Sequence, residues 1–331
     1  MNLHHQLKPP STSLNFSRQV PKKILKHVKR GLCPPNPLMN RRSVHIDNKM
    51  SSSNVVCYYH GSINVSLLNP HICTHIIYTS IGIDRDGNIK FPYADEIQVL
   101  SELNFLEKMR KINEKLKLLI SIGDNCEDQQ KAFNSMLSSQ TSRKNFAKNI
   151  LGFCRKCNFD GIDINCQFPQ KQQSAAFTDL IKRLKELING ALSFDVSLPT
   201  EFDVFNFEET VDPQILSVTV NAHAFNAYDI KHISKKVKFI NLMTFDMEMP
   251  SRELITVDHA VSIWLSHGAN LGKLNIGVAT YECNDSKTIR SKTNYAKFGG
   301  FGGVVIHAFD GDDSSAGFPL IRSAYEAIDE K

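Results

Sequence analysis

The chain has 331 residues, 41% of them hydrophobic, enough to bury the core of one barrel-sized domain or two smaller ones. Its net charge of +5 is unevenly placed: residues 1–46 hold nine Lys/Arg and no Asp or Glu, and setting those nine aside leaves −4 on the rest. A mildly acidic folded part argues against a nucleic-acid surface, and no apolar run is long enough for a membrane span or a signal-peptide core.

Residues 1–53 read as a disordered, basic N-terminal extension. They carry Pro9-Pro10, Pro34-Pro35, Pro37 and the Ser51-Ser52-Ser53 run, with little apolar periodicity. The acid-free composition also fits an organelle transit peptide, although the prolines interrupt any amphipathic helix. From residue 54 to 331 the pattern changes to one domain of alternating short β-type runs and helical stretches. The runs are 55–59, 75–83, 116–123, 161–165, 216–222, 239–245, 273–281 and 302–309. Between them, stretches such as 95–116, 142–157, 174–190 and 257–269 repeat apolar residues at spacings of three and four. Eight such alternations predict an α/β fold, a single-domain parallel (β/α)8 TIM barrel. A ninth β-like run, 192–199, does not fit the count, and residues 191–213 are treated as an insertion.

In this architecture chemistry sits at the C-terminal ends of the strands. The stretch "FDGIDINCQFP", residues 159–169, alternates cleanly there. Ile162, Ile164 and Cys166 face the helices, while Asp163, Asn165 and Gln167 face the barrel interior and its mouth. An inward polar row is costly unless its members bond to one another or line a wetted site. The three are expected to satisfy each other by hydrogen bonds.

These residues resemble the signature of the family 18 glycoside hydrolases, the chitinases and chitinase-like lectins, which runs Asp-Gly-x-Asp-x-Asp-x-Glu. The resemblance spans about residues 54–327 in the expected order, through "VVCYY", "NPHICTHIIYTSIGI", "LLISIGD", "KFINLMTFD", "KLNIGVATY" and "FGGVVIHAFDGDD". One block of many family members is missing: "ATYECNDSKTIRSKTNYAKFGGFGG" passes straight through where a small α+β domain is often inserted. Its absence implies a shallower mouth.

The resemblance implies a substrate-assisted site in which the final Glu protonates the leaving oxygen and the Asp two residues earlier orients the sugar's acetamido group. Here the donor position is Gln167 and its partner is Asn165, so no catalytic residue is intact and a degenerate set of Asp160, Asp163, Asn165 and Gln167 remains. An amide keeps the shape of the acid but has no transferable proton; losing one general acid costs roughly 10²–10⁴ in rate. Asp160 and Asp163 can be read as structural. The family's Met-x-Tyr-Asp motif is Met243, Thr244, Phe245, Asp246, without the phenolic hydroxyl, and His307 stands where the last strand usually carries Trp. Tyr58, Met243, Phe245, Asp246 and His307 are the ligand-binding candidates. The single tryptophan, Trp264, falls at a packing position in a helical stretch, so no Trp is left to stack on a sugar.

Three functions are open: an inactive chitinase-like protein that binds N-acetylglucosamine glycans or acts in signalling or defence; a weak hydrolase using Asp163, Asp246 or His307 as a substitute acid; or a barrel scaffold for a protein receptor. The protein is expected to be a monomer without cofactor or metal. His71, His75, His223 and His307 have no metal spacing and read as hydrogen-bonded barrel or loop residues. Cys154-x-x-Cys157 reads as structural, and the acidic run 310–313 lacks the terminal Glu of a calcium loop. Cys57 and Cys73 occupy positions resembling a family disulfide. With the sequons at Asn64 and Asn284 they favour an extracellular protein, although no signal peptide is visible.

Overall fold

The structure is a computed structural model, and it describes residues 53–90, 96–123, 127–165, 169–190, 212–245, 257–281 and 285–330. The β-like run 192–199, most of the 191–213 insertion and the N-terminal extension through residue 52 lie outside the described residues.

Eight parallel strands close into a barrel, β1 (Asn54–Tyr59), β2 (His75–Ile83), β4 (Lys117–Ile122), β5 (Gly161–Ile164), β6 (Ile215–Asn221), β7 (Phe239–Met243), β8 (Leu274–Ala279) and β9 (Gly303–His307), with β1 pairing both β2 and β9. A two-residue strand, β3 (Ile89–Lys90), folds back antiparallel on the end of β2. The helices are α1 (Glu96–Ile112), α2 (Glu127–Ser138), α3 (Gln140–Lys156), α4 (Ser174–Ile188), α5 (Ile230–Lys236), α6 (Val257–Ser266), α7 (Ser286–Phe298) and α8 (Pro319–Asp329). This is the (β/α)8 barrel expected from the sequence. The β1–β2 crossover departs from the pattern, for residues 60–74 contain only a single 3-10 turn, Val65–Leu67.

Local chemistry sets the helix boundaries. Side chains of Ser139, Asp229 and Asp285 accept hydrogen bonds from the first free N–H groups of α3, α5 and α7, and Pro319 opens α8. On α4, Phe177, Leu180, Ile181, Leu184, Leu187 and Ile188 form one buried stripe, the period-3.6 pattern that packs a helix on a sheet.

Strand alternation divides the core in two. Cys57, Ile76, Ile120, Ile162, Ile164 and Val218 belong to the large cluster under the helices. Val56, Tyr58, Ile77, Leu119, Phe239, Val305 and Ala308 form a separate cluster inside the barrel. Cys57 is disulfide-bonded to Cys73. Cys154 and Cys157 are free and buried, and burial pushes both thiols above their ordinary range, which keeps them protonated and inert. The acidic run is spent on the backbone: Asp310 accepts from the N–H groups of His60 and Ser62, Asp312 from Ile321, and Asp313 from Ser315 and Ala316. Among the described residues no group of three or more His, Cys, Asp or Glu is placed to hold a metal, and no helix is long and apolar enough to cross a membrane.

Candidate functional site

The signature strand is positioned by its own glycine. A Cβ on Gly161 would lie 2.3 Å from the Ile215 carbonyl oxygen, so the residue after Asp160 must lack a side chain for β5 to pair with β6. Two residues on, Asp163 enters the barrel axis with 0% of its surface exposed. Tyr58 Oη donates to it at 2.6 Å, Ser121 Oγ at 3.1 Å and Ser217 Oγ at 2.6 Å. The Thr219 hydroxyl, with one proton to share, stands 3.0 and 3.1 Å from the two carboxylate oxygens and 2.6 Å from Tyr58 Oη. Burial pushes the Asp163 pKa up, against the pull of these donors. Burial and the Asp163 carboxylate together push Tyr58 well above its ordinary value.

The network continues across the barrel. Asn241 Nδ2 donates to Thr219 Oγ1 at 3.0 Å, Asn275 Nδ2 to Asn241 Oδ1 at 2.9 Å, and Asn54 Nδ2 to Asn275 Oδ1 at 3.4 Å. Ser121, Ser217, Thr219, Asn241 and Asn275 were not among the sequence candidates. Their signal was available: each is a polar residue at inward parity in an otherwise apolar strand, as Asp163 is.

Above this layer lies the mouth. His307 ends β9 with part of its surface open. Its ring centre is 5.0 Å from Tyr58, 5.3 Å from Phe245 and 6.3 Å from Tyr281, and 4.6 Å from His60, an aromatic neighbour not anticipated from sequence. Burial, reinforced by His60, holds the His307 pKa well below the usual imidazole value, so the ring is neutral near pH 7. Thr280 Oγ1 accepts from Ala308 N at 3.0 Å and donates to Ala308 O at 2.6 Å, which fixes the backbone beside it. Met243 ends β7, half-buried, next to Asn221 in the ladder.

Asn165 follows β5, 4% exposed, its N–H bonded to the Ile122 carbonyl, and its side-chain Oδ1 is buried with no hydrogen-bond partner among the described residues. This corrects the expectation that the inward row satisfies itself. Asp163 is satisfied by hydroxyls from β1, β4 and β6, and Asn165 is left with an open acceptor. His223 also departs from expectation, since neither ring nitrogen has a partner among the described residues.

Tyr58, Asp163, Phe245 and His307 are therefore brought together at the upper end of the barrel. Asp160 is not with them. It precedes β5 at the closed end, where its carboxylate meets Lys117 Nζ at 3.0 Å, Arg110 Nη1 at 3.2 Å and Leu118 N at 2.9 Å. Trp264 packs under the sheet, 1% exposed, donating to the Ala222 carbonyl. Asn64 is exposed on the β1–β2 crossover. Gln167, Asp246 and Asn284 lie outside the described residues.

A (β/α)8 barrel carrying the Asp-Gly-x-Asp sequence at its β5 strand narrows the relatives to compare. The model of the glycosyl hydrolases family 18 matches residues 54–285. The chain belongs to that family. Human chitinase-3-like protein 2 is 27% identical over 264 residues, 70% of this chain and 63% of the relative. Mouse chitotriosidase-1 is 27% identical over 247 residues, 65% of this chain and 48% of the relative. The chain thus spans about half to two thirds of the length of these curated family 18 relatives. Among solved structures, human YKL-39, described as a pseudo-chitinase with retained chitooligosaccharide binding properties, superposes with a TM-score of 0.69 at 20% identity. That superposition covers 84% of this chain and 100% of YKL-39, and at that identity it bears on the fold. Family membership joins active hydrolases and inactive members alike, so the chemistry has to be argued from the residues of this mouth.

Proposed function

We propose that this protein is a catalytically silent family 18 member that binds N-acetylglucosamine glycans at the barrel mouth. The observation that carries the reading is Asn165. It presents a neutral, buried acceptor with no partner among the described residues, and an unmet acceptor of this kind costs about 1–3 kcal/mol unless a ligand or water donates to it. The N–H of an acetamido group is such a donor. Tyr281 and His307, both partly exposed, supply ring surface for a sugar face, with Phe245 packed against them.

Silence follows from the acids. The position for the proton donor holds Gln167. Asp163 spends both carboxylate oxygens on the hydroxyls of Tyr58, Ser121, Ser217 and Thr219 at the barrel axis, so it serves as an acceptor within the wall. His307 is held neutral, which suits a base or a packing surface and not an acid. Cys57–Cys73 favours an oxidising, extracellular setting.

Titration calorimetry with chito-oligosaccharides, with product analysis of the same mixture, tests the reading. Binding without cleavage is expected. Neither binding nor cleavage would move the function to a protein partner on another surface. Cleavage would overturn the assignment and direct attention to Asp246.

A further inference from the structure

The β1–β2 crossover carries chemistry unrelated to the mouth. Residues 57 and 73 are joined by the disulfide, and Asn64 of the sequon Asn64-Val65-Ser66 lies within the loop it closes. The loop is firmly held at its start. Asp310 takes the N–H groups of His60 and Ser62, each at 2.7 Å, and Tyr59 Oη donates to the Ile63 carbonyl at 2.9 Å. Asn64 then turns outward. Its Oδ1 accepts from Ser66 N at 3.0 Å, an Asx-type turn that engages the oxygen of the side-chain amide. Asn64 and Ser66 are both exposed.

A trough runs along α1 on either side of this residue. One lobe, of about 320 Å³, lies between Ser62–Val65 and Gln98, Ser101 and Glu102. The other, of about 600 Å³, is lined by Leu100, Asn104, Phe105 and Lys108. Asn64 and Val65 border both lobes. Both lobes are open, shallow depressions on the surface. The walls alternate amide, hydroxyl and ammonium groups with one half-buried aromatic ring, Phe105, the mixture that suits a sugar's hydroxyl edge and apolar face. Glu102 at the back is already bonded to Tyr78 Oη at 2.8 Å and Gln98 Nε2 at 2.9 Å, so it fixes the wall and is not itself a free charge awaiting a cation.

We propose that Asn64 is an N-glycosylation site whose first sugars lie in the trough along α1. In the modification, Asn64 Nδ2 attacks the anomeric carbon of a lipid-linked pyrophosphoryl oligosaccharide. The C1–N bond forms, the C1–O bond to pyrophosphate breaks with its electron pair, and the amide proton passes to the transferring enzyme's base. The disulfide that closes the loop is made in the same oxidising compartment that houses this donor, so two independent marks fall on one short loop. The sugars fill the place on the outer layer that a crossover helix would occupy elsewhere in the barrel. This inference does not depend on glycan binding at the mouth.

The test expresses the full chain in insect cells behind an added secretion leader, scoring both secreted protein and the endoplasmic-reticulum fraction. Release of glycans by peptide amidase in ¹⁸O-water, followed by peptide mapping, should show Asn64 converted to labelled Asp. Ser66→Ala should abolish the label while preserving the backbone bond to Asn64; Ser66→Thr should keep it. Hydrogen exchange should then quicken several-fold over residues 98–108 when the glycan is removed from folded protein. Unmodified Asn64 in disulfide-bonded protein would overturn the site. Modified Asn64 with unchanged exchange on α1 would overturn the bedding of its sugars.

Discussion

Tyr58→Phe isolates the barrel network with the loss of one oxygen. The ring would keep its packing against His307, 5.0 Å away, while Asp163 loses its 2.6 Å donor and Thr219 a 2.6 Å neighbour. A hydrogen bond to a charged group contributes about 1.5–3 kcal/mol, so the unfolding free energy should fall by ~2–3 kcal/mol. For a domain of this size that corresponds to roughly 5–10 °C in Tm. The pH dependence gives a sharper check. Burial raises the folded pKa of Asp163 above its ordinary 3.8, and the Tyr58 donor opposes that rise. A raised carboxyl binds more protons folded than unfolded, so its contribution to stability falls as pH rises from the unfolded value through the folded one. Removing the donor extends that window upward. The deficit of the variant, read from urea melts, should therefore be small near the acid end and grow towards neutral pH. A deficit below about 0.5 kcal/mol at neutral pH, or one that shrinks as pH rises, would refute the assignment of Tyr58 as a donor to a buried charge.

Restoring both acids, Asn165→Asp with Gln167→Glu, should raise chito-oligosaccharide hydrolysis at least ~100-fold over the parent, yet leave it short of a full enzyme because Phe245 lacks a hydroxyl. A double variant that folds and binds but shows no turnover would mean that more than the acid was lost. His75, bonded to Thr74 Oγ1 at 2.8 Å, is held by burial at a pKa of about 4 against an ordinary 6.5. The unfolded chain takes up that proton first, so stability should fall by up to ~3 kcal/mol as pH drops from 6.5 to 4. In His75→Gln that part of the slope should vanish, and an unchanged slope would assign it elsewhere. Replacing Cys57 and Cys73 together by Ser opens a loop with a sequence separation of 16; a loss of about 3 kcal/mol is expected in denaturant melts, and a neutral result would contradict a constraining role.

The barrel was legible because its strands repeat apolar residues at both parities, and the helices under them repeat at three and four. α7 was not picked out: its buried residues are Ile289, Thr293 and Ala296 alone, so its stripe is thin and polar. The two-residue β3 has no periodicity to read; a turn at Gly87, with φ of +86°, makes it. At the site, "FDGIDIN" announced the strand and the parity of Asp163. Its partners stayed hidden because they come from far along the chain, Tyr58 lying 105 positions away and Ser217 54. A polar residue in an apolar strand shows that a partner is needed without saying which strand provides it. That gap left Asp163, Asn165 and Gln167 to be paired with one another, whereas Asp163 bonds to hydroxyls of other strands; Asp160, kept in the degenerate set but read as structural, meets Lys117 and Arg110 just before β5.

The amide and hydroxyl chain from Asn54 to Asp163 bears on how a site such as this one ages. Side chains that only face the void can be exchanged one at a time, each exchange altering what the protein does and little else. Asn54, Asn275, Asn241, Thr219 and Asp163 each hold a neighbour on another strand, so changing any one leaves the next without its partner inside the barrel. Drift is therefore expected to work inward from the rim and halt at the axis. A barrel that has lost its chemistry would keep the acid least able to reach a ligand, because that acid had become part of the wall.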